Sequence, residues 1–541
     1  MTHHHQSGLR RLIDELLQTG QDADRGLAMR RLLEAALRDL VDLEATARIG
    51  TRPMLRYRRF MNVKAGQRVA VTRPVIIQGG MGIAVSGWQL AREVARSGQL
   101  GVVSGTALDS VIARRLQDGD EGNHIRRALR HFPSPAMVSR VLERYFRDGG
   151  RDGAPYRPQP ALGVHPSPAA IELALVSNFT EVWLAKDGHE GVVGINLLEK
   201  IQTATLSAVL GAMLAGVDYV LMGAGIPREI PKLLNDFAAG RAGELSVDVA
   251  NASRTYTASL DPVELLGDEL PVLHRPQFLA IVSLHVLATF LNRNEQIRPD
   301  GFIVEGPLAG GHSAPPRGKM TRDGDGQPVY GVKDDADLSA MVAIGLPFWL
   351  AGAYGTPERV ADAVAAGAVG VQVGTLFAFA NESGLRPDLR LGLFRALTEG
   401  TLVVRNDPRA SPTNFPFKIA SIEGTLSEPA TYAARERICD LGFLRTPVER
   451  EDGRLAYRCA SEPEHMYVKK GGDAADTVGR MCLCNALLAD VGLGKVRKNG
   501  YVEQPAITLG QDLSGPERLA ETHPEGWTAA EAIRWLTSRL P

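Results

Sequence analysis

The sequence carries almost no net charge, has no long apolar segment and shows no internal repeat or low-complexity tract. Its formal net charge is -1 over 541 residues, so composition gives no reason to expect nucleic acid or an anionic membrane as a partner. The longest apolar run, IVSLHVLATFL at 281–291, is shorter than the roughly 20 residues that a transmembrane helix needs. We therefore expect no membrane-spanning segment.

The N-terminal residues also lack the signature of a secretory signal peptide. MTHHHQSGLRRLIDELL contains no continuous apolar core followed by a small-residue cleavage site. A cytoplasmic location is the default expectation, and that compartment disfavours disulfides. Hydrophobic residues make up 44% and charged residues 23% of the chain, as is typical of a globular protein.

The spacing of apolar residues changes after the first seventy positions. Leucines and other apolar residues within 9–45 recur at three- and four-residue intervals, which predicts two amphipathic helices. From residue 74 onward, short β-rich runs alternate with glycine turns and helical stretches, the pattern of parallel βα units. We predict an N-terminal helical extension (1–70), a βα domain with insertions (71–390) and a C-terminal extension (391–541).

Eight candidate strands can be placed in the central domain. A (β/α)8 TIM barrel of the α/β class accounts for eight such units better than an open doubly wound sheet does. Helical patterns lie between several of them, at 88–97, 203–215 and 357–366, and hairpins are predicted within 241–272 and 321–331. The eight strands are predicted at 74–78, 100–104, 192–197, 217–222, 278–283, 300–305, 347–351 and 369–373.

The C-terminal ends of these strands, where barrel enzymes place their active sites, are rich in glycine. Glycine lets the backbone approach a ligand closely, although a single glycine also serves simple turns. Together they favour a flat ligand across the barrel mouth, and the loops after the last two strands suit a phosphate group. The glycines are Gly79, Gly80, Gly105, Gly223, Gly225, Gly310, Gly311, Gly352 and Gly374.

Five segments in order resemble the nitronate monooxygenase family, also called 2-nitropropane dioxygenase-like, which includes FMN-dependent enoyl reductases. The resemblance covers about residues 70–385 and implies a TIM barrel that binds FMN. The segments are PVIIQGGMGIAVSGWQLAREVARSGQLGVVSG, GVVGINL, VLMGAGIP, DGFIVEGPLAGGHSA and AGAYGTPERVADAVAAGAVGVQVGTLFAFANES.

The resemblance also implies roles for individual residues. Residues at the first, second, third and fifth strands and the glycines of the AGGH motif would contact the flavin cofactor, and the ends of the last two strands would hold its phosphate. His312 matches the histidine proposed in the family to act as a base or to orient substrate. The implied cofactor-binding residues are Gln78, Gly80, Met81, Gly105, Asn196, Ser283, Gly310, Gly311, Gly352, Gly355, Gly374 and Thr375.

His312 has both a chemical and a purely structural interpretation. A histidine can take an acidic proton near neutral pH, next to a carbon that passes electrons to the flavin. It can also simply bond loop backbone. Around it the chain departs from many relatives, with Leu308 in place of a glutamate and SAPPRG after the histidine. These departures leave the identity of the substrate open.

All four cysteines fall in one stretch of the C-terminal extension, at Cys439, Cys459, Cys482 and Cys484. Four thiols could close a tetrahedral zinc site or bind an iron-sulfur cluster. The spacing is not a standard double CxxC, and four reduced thiols could also serve as small buried hydrophobes. Unliganded thiols are our first interpretation, with structural zinc and then an iron-sulfur cluster as alternatives.

The sequence therefore predicts an FMN-dependent oxidoreductase resembling nitronate monooxygenase, which would oxidise a nitronate or similar carbanion-like small molecule with O2. The first alternative is an enoyl reductase that acts on acyl thioesters with NAD(P)H as reductant. Two further alternatives are a flavin-binding assembly protein with little catalysis and a phosphate-binding barrel enzyme without flavin. The terminal extensions could support a homo-oligomer.

Overall fold

The computed structural model describes residues 73–540 of the chain. The helices predicted within 9–45, and the 1–70 extension that contains them, lie outside these residues. Arg73 and the residues after it form one compact unit. Within this described part, no helix is both long enough and apolar enough to cross a membrane.

Eight parallel strands form the central sheet, and each falls on a segment predicted from the sequence. The sheet closes on itself, because the Gln78 amide donates to the Leu100 carbonyl at 3.0 Å and the Leu100 amide donates to the Ile76 carbonyl at 3.1 Å. The predicted (β/α)8 barrel is confirmed. Its strands are β1 (Ile76–Gln78), β2 (Gly101–Ser104), β3 (Val193–Leu198), β4 (Tyr219–Gly223), β7 (Gln277–Val282), β8 (Gly301–Glu305), β9 (Phe348–Ala351) and β10 (Gly370–Val373), with β5 and β6 in a separate hairpin.

The order of strands around the barrel is β1, β10, β9, β8, β7, β4, β3, β2. Side chains alternate between the two faces of each strand, as the pleat requires. Ile77 points into the barrel, whereas the adjacent Ile76 packs under the surrounding helices. The interior is filled by large side chains from several strands, which are Ile77, Leu100, Val102, Tyr219, Leu221, Leu279, Ile303 and Trp349, together with Ala351.

Helices surround the barrel, and further helices belong to the C-terminal part of the chain. Two of them begin with a proline directly after an N-cap residue: α5 (Pro168–Lys186) follows Ser167, whose hydroxyl accepts from the Ala170 amide, and α11 (Pro357–Ala365) follows Thr356. The helices are α1 (Trp88–Arg96), α2 (Leu108–Gln117), α3 (His124–Leu129), α4 (Pro135–Tyr145), α5 (Pro168–Lys186), α6 (Gln202–Leu214), α7 (Ile230–Ala238), α8 (Pro262–Leu266), α9 (His285–Asn292), α10 (Leu338–Ile344), α11 (Pro357–Ala365), α12 (Thr375–Ala378), α13 (Pro387–Thr398), α14 (Pro429–Ala434), α15 (Glu464–Lys469), α16 (Leu483–Asp490), α17 (Ser514–Thr522) and α18 (Ala529–Leu536).

Several antiparallel hairpins of residues 73–540 lie outside the barrel. The one predicted within 241–272 pairs β5 (Gly243–Val247) with β6 (Tyr256–Leu260). The one predicted at 321–331 is held by the Val329 amide, which donates to the Thr321 carbonyl at 3.1 Å. The C-terminal part adds two more, β11 (Val404–Asp407) with β12 (Phe417–Ala420) and β13 (Thr446–Glu449) with β14 (Leu455–Arg458).

The C-terminal part packs directly on the barrel. The Ser313 amide, in the loop after β8, donates to the Pro416 carbonyl at 2.9 Å. Near the end of β10, the buried Trp527 donates from its ring nitrogen to the Leu376 carbonyl at 3.0 Å. The boundary between 71–390 and 391–541 stays a prediction, and in the structure the two parts share one compact unit.

Gly101 offers a test of helix packing on the barrel, because α1 lies so close to β2 that a Cβ at this position would stand 1.8 Å from the Ala91 carbonyl oxygen. We expect Gly101→Ala to lower the free energy of unfolding by about 1–3 kcal/mol or more, since the backbone of α1 must move. Urea denaturation measures the change. Gly324→Ala is the matched control, because nothing lies within 4 Å of its added Cβ, and an equal loss in both variants would contradict the packing argument.

Candidate functional site

A cavity of about 930 Å³ opens at the C-terminal ends of the barrel strands. Its floor is made by the strand ends and by the loops that follow them. The C-terminal part of the chain contributes a second wall, through residues such as Phe417, Leu487 and Leu509. A cavity of this size at this end of a barrel is the usual location of a cofactor and substrate site.

Most of the site residues predicted from the sequence line this cavity together. Two do not: Gln78 and Gly105 are absent from its surface. Those that line it are Gly80, Met81, Asn196, Ser283, Gly310, Gly311, His312, Gly352, Gly355, Gly374 and Thr375. Their predicted roles toward a cofactor stay predictions.

Gln78 and Gly105 have structural roles in the barrel. The Gln78 side chain is fully buried, where its oxygen accepts from the Val102 amide at 3.0 Å and its nitrogen donates to the Ser86 hydroxyl at 2.8 Å. Gly105 makes room for its neighbours, since a Cβ there would stand 2.5 Å from the Leu197 side chain. Both residues therefore support the packing of the strand ends without lining the cavity.

Two amide side chains on the cavity wall have buried oxygens without a hydrogen-bond partner among the described residues. These are Oδ1 of Asn196 and Oε1 of Gln372. The other end of the Asn196 amide donates to the Gly80 carbonyl at 3.3 Å. Buried polar atoms normally find partners, so both oxygens suit a ligand that carries N–H or O–H groups. Gln372, in the middle of β10, was not predicted from the sequence.

His312 is held by residues of the C-terminal part. Its Nε2 forms a 2.7 Å hydrogen bond with the Ser411 hydroxyl, which also bonds the Thr413 hydroxyl at 2.8 Å. The Phe417 ring stands edge-on to the imidazole, with 4.9 Å between the ring centroids. These contacts fix the orientation of the ring at the cavity wall.

Burial and the charge of Lys200 lower the pKa of His312 to about 4. The imidazole is therefore neutral at physiological pH. A neutral ring with one nitrogen bonded to Ser411 is better suited to orient a substrate than to accept and keep its proton. Of the two roles that the family resemblance implies, this geometry favours orientation.

A carboxyl group at the start of the loop that carries His312 and a buried ammonium group bonded to that loop were not predicted from the sequence. Glu305 ends β8 and lines the cavity, where burial raises the pKa of its carboxyl to about 7. Lys418, in β12, is completely buried, and burial lowers its pKa to about 8. Each charge partly offsets the effect of burial on the other. Their sequence separation of more than a hundred residues explains why no local pattern revealed the pair.

Arg317 is a further unpredicted cation at the cavity. Its guanidinium donates to the Ser283 hydroxyl at 3.2 Å, and the side chain is exposed to solvent. Ser283, which the family resemblance places against FMN, therefore has a protein partner in this structure. Arg317 and Ser283 together provide hydrogen-bond donors at the cavity for an anionic or carbonyl group of a ligand.

The glycine loops of the barrel are packed against residues 508–510. A Cβ at Gly310 would stand 2.9 Å from the Gly510 nitrogen. The Gly311 amide donates to the Thr508 hydroxyl at 2.9 Å, and the Gly510 amide donates to the Thr375 hydroxyl at 2.8 Å. The C-terminal part is thus built into the site, which the sequence motifs by themselves did not indicate.

Apolar side chains form the outer walls of the cavity. On the barrel side, Ile226, Val286 and Phe290 line it and remain exposed at its rim. On the C-terminal side, Phe443 and Leu487 face the same space. The polar groups named above therefore lie in a largely apolar chamber, which strengthens their electrostatic interactions.

The four cysteines come together in the fold, although no metal-binding arrangement results. The neighbouring Cys459 thiol and burial raise the pKa of Cys439. Burial also raises the pKa of the Cys482 and Cys484 thiols. Across residues 73–540, no group of three or more His, Cys, Asp or Glu side chains is arranged to hold a metal ion. Cys484 lines the cavity.

Comparison with known proteins bears directly on this site. The sequence model of the nitronate monooxygenase family matches residues 267–430. The match confirms the resemblance for the part of the chain that carries the last two motif segments, DGFIVEGPLAGGHSA and AGAYGTPERVADAVAAGAVGVQVGTLFAFANES. The nitronate monooxygenase match includes β8, the His312 loop, Glu305 and Lys418, whereas Asn196 and the β1 motif lie outside it. No curated protein matches the chain.

Solved structures of similar fold include FabK from Thermotoga maritima and nitroalkane oxidase from Streptomyces ansochromogenes. FabK is 15% identical and aligns over 86% of this chain and 92% of its own, with a TM-score of 0.42. The nitroalkane oxidase is 15% identical and aligns over 87% of this chain and 96% of its own, with a TM-score of 0.38.

The lowered pKa of His312 predicts how stability depends on pH. As the pH falls from about 6.5 toward about 4, the unfolded chain binds a proton at this residue but the folded protein does not. Stability is therefore lost over that interval, by about 1–3 kcal/mol for this group. We expect His312→Gln to remove this component of the curve of unfolding free energy against pH, measured by urea denaturation.

The exposed His465 provides the matched control for this substitution. His465→Gln should leave the acid limb of the stability curve as it is in the wild type. An acid limb that is identical in wild type and His312→Gln would show that His312 does not resist protonation in the folded protein.

Proposed function

We propose that the protein is an FMN-dependent oxidoreductase related to nitronate monooxygenase, and that it oxidises a nitronate or similar carbanion-like small molecule with O2. The single observation that carries the proposal is the cavity at the barrel mouth, which gathers eleven of the thirteen predicted site residues. The match of residues 267–430 to the family supports the oxidoreductase class.

The residues present suit a flavin. The unpartnered oxygens of Asn196 and Gln372 would accept hydrogen bonds from a flat heterocycle. The backbone at Gly311 and Gly355 is open to its close approach, since a Cβ at Gly311 would meet nothing within 4 Å and one at Gly355 would meet only a Val373 methyl group at 3.9 Å. Gly355, Gly374 and Thr375 would hold the phosphate. Bound FMN would supply the redox chemistry, taking an electron pair from the substrate and passing it to O2.

The remaining side chains would act on the substrate. His312, neutral and held by Ser411, would orient it, and the apolar walls would exclude water from the reacting carbon. Arg317 at the entrance would attract an anionic substrate such as a nitronate.

The second candidate is an NAD(P)H-dependent enoyl reductase that acts on acyl thioesters. It is favoured by the apolar rim of Ile226, Val286 and Phe290, which exceeds what a small nitronate needs to cover. Metal analysis of the purified protein distinguishes unliganded thiols from zinc or an iron-sulfur cluster at the four cysteines.

Anaerobic absorbance spectroscopy tests the proposal and separates it from the reductase. The protein is reconstituted with FMN and mixed in turn with ethyl nitronate, NADH and NADPH. We expect ethyl nitronate to bleach the oxidised flavin spectrum, because the substrate itself donates the electron pair. Bleaching by NADH or NADPH alone would favour the enoyl reductase, and failure to bind FMN at all would contradict both.

Gly352 allows the cofactor site to be tested without turnover. It has a positive φ of 85°, and a Cβ there would stand 3.0 Å from the Ala309 nitrogen in the cavity wall. We expect Gly352→Ala to weaken FMN binding about tenfold or more, measured by quenching of flavin fluorescence. Gly345→Ala is the matched control, because Gly345 also has a positive φ but lies at the end of α10 with nothing near its added Cβ.

A further inference from the structure

The carboxyl group of Glu305 stands out among the polar groups of the cavity. It lies at the end of β8, where the chain leaves the barrel for the His312 loop, and it lines both the main cavity and a small side recess shared with Ser313 and Tyr330. No group among residues 73–540 donates a hydrogen bond to it, although most buried carboxylates have several such partners. Its oxygens are therefore free to meet a ligand.

Lys418 supplies the opposite charge from the C-terminal part. Its ammonium group is fully buried and donates to the hydroxyl of Ser313, the residue after His312, at 2.5 Å. The Lys418 backbone amide donates to the Gly311 carbonyl at 3.0 Å, so the side chain is anchored to the same loop at two points. Lys418 and Glu305 influence each other electrostatically without forming a close ion pair in the described chain.

The surroundings of Glu305 contain few other charges. Tyr330 comes from the hairpin side, where its hydroxyl donates to the Ala314 carbonyl at 2.9 Å and lies in the field of Glu305 and Asp334. Arg317 lines the same recess from the loop after His312, bonded to Ser283. His312 is subject to the field of Lys200 instead. Lys418 is thus the charge that acts on the carboxyl group of Glu305.

We propose that Glu305 is the catalytic base of the cavity, which removes a proton from the neutral carbon acid, and that Lys418 is the positioning residue that keeps it ionised. This proposal rests on the proposed function and extends its substrate class from a preformed nitronate to the neutral nitroalkane. His312, bonded to Ser411, then orients the substrate and is not the base.

The step is a simple proton transfer. The C–H bond beside the nitro group breaks, its electron pair remains on the substrate as the nitronate, and a new O–H bond forms on Glu305. Glu305 then returns the proton to water, and the electron pair on the substrate is available for the oxidation described above. A carboxyl group that titrates near neutral pH suits this exchange, as general base catalysis requires.

Exchange of the α-protons of nitroethane with D2O tests the proposal without any redox turnover. The exchange is followed by proton NMR under anaerobic conditions, with the protein both free of cofactor and reconstituted with FMN. We expect the wild type to accelerate exchange above buffer and Glu305→Gln to lose about 100-fold of this rate, because the amide cannot take the proton. Glu305→Asp should recover part of it, and the exposed Glu423→Gln should match the wild type.

Lys418 and His312 are distinguished by the pH profile of the same exchange. Lys418→Met should move the profile toward higher pH, because the carboxyl group loses the positive charge that favours its ionised form. His312→Gln should weaken nitroethane binding and leave the midpoint of the profile in place. A midpoint that shifts in His312→Gln and stays in place in Lys418→Met would overturn the assignment.

Infrared difference spectra across neutral pH give a readout independent of activity. The C=O band of a protonated carboxyl group should titrate in the wild type and disappear in Glu305→Gln. A wild type that does not accelerate exchange would overturn the role of Glu305 but not the oxidation of a preformed nitronate, whereas a reconstituted flavin that ethyl nitronate does not bleach would contradict the proposed function itself. If wild type and Glu305→Gln accelerate exchange equally, the assigned role of Glu305 is overturned. If Glu305→Gln does not fold, a Lys418→Met pH profile with the wild-type midpoint overturns the assigned role instead.

Discussion

The pairing of the loop after β8 with two segments of the C-terminal part is the contact on which the candidate site depends. His312 bridges to Phe417 in antiparallel fashion, and the Gly311 amide is bonded to Thr508. Without these partners the AGGH loop would be a solvent-exposed glycine turn with many accessible conformations, because glycine constrains the backbone least. The C-terminal part therefore orders the segment that carries the candidate chemistry.

That same contact sets the electrostatics of the cavity. By covering the barrel mouth, the C-terminal part removes water from His312, Glu305 and Lys418, and each of the three then disfavours its charged form. The consequence differs with the ordinary pKa of each group. Histidine becomes neutral under physiological conditions, whereas the carboxyl group and the ammonium group both move toward neutrality. Two groups that are ordinarily fixed in charge thereby become able to exchange protons.

Much of the barrel was predictable because its signals are local. Runs such as VVGINL and VLMG combine β-branched or apolar residues with a glycine end, and each strand formed where such a run was found. The shared location of Asn196, His312, Gly352 and Gly374 followed from one rule, that parallel strands of a barrel bring their C-terminal ends to one face. Gln78 satisfied the same rule, but its side chain points away from the cavity because direction alternates along a strand, and Gly105 is packed against Leu197 and Ile195.

By itself the sequence determined the closed barrel, the glycine-lined mouth and the resemblance to nitronate monooxygenase, because periodicity and motif are properties of neighbouring residues. Only the tertiary structure decided that Lys418 lies within electrostatic reach of Glu305, that Ser411 holds His312 and that residues 508–510 pack on the glycine loops. These contacts join positions about a hundred or more residues apart, so no local pattern specifies them. They arise when the C-terminal part buries its apolar surface on the barrel, and that burial also sets the charge of the groups it covers.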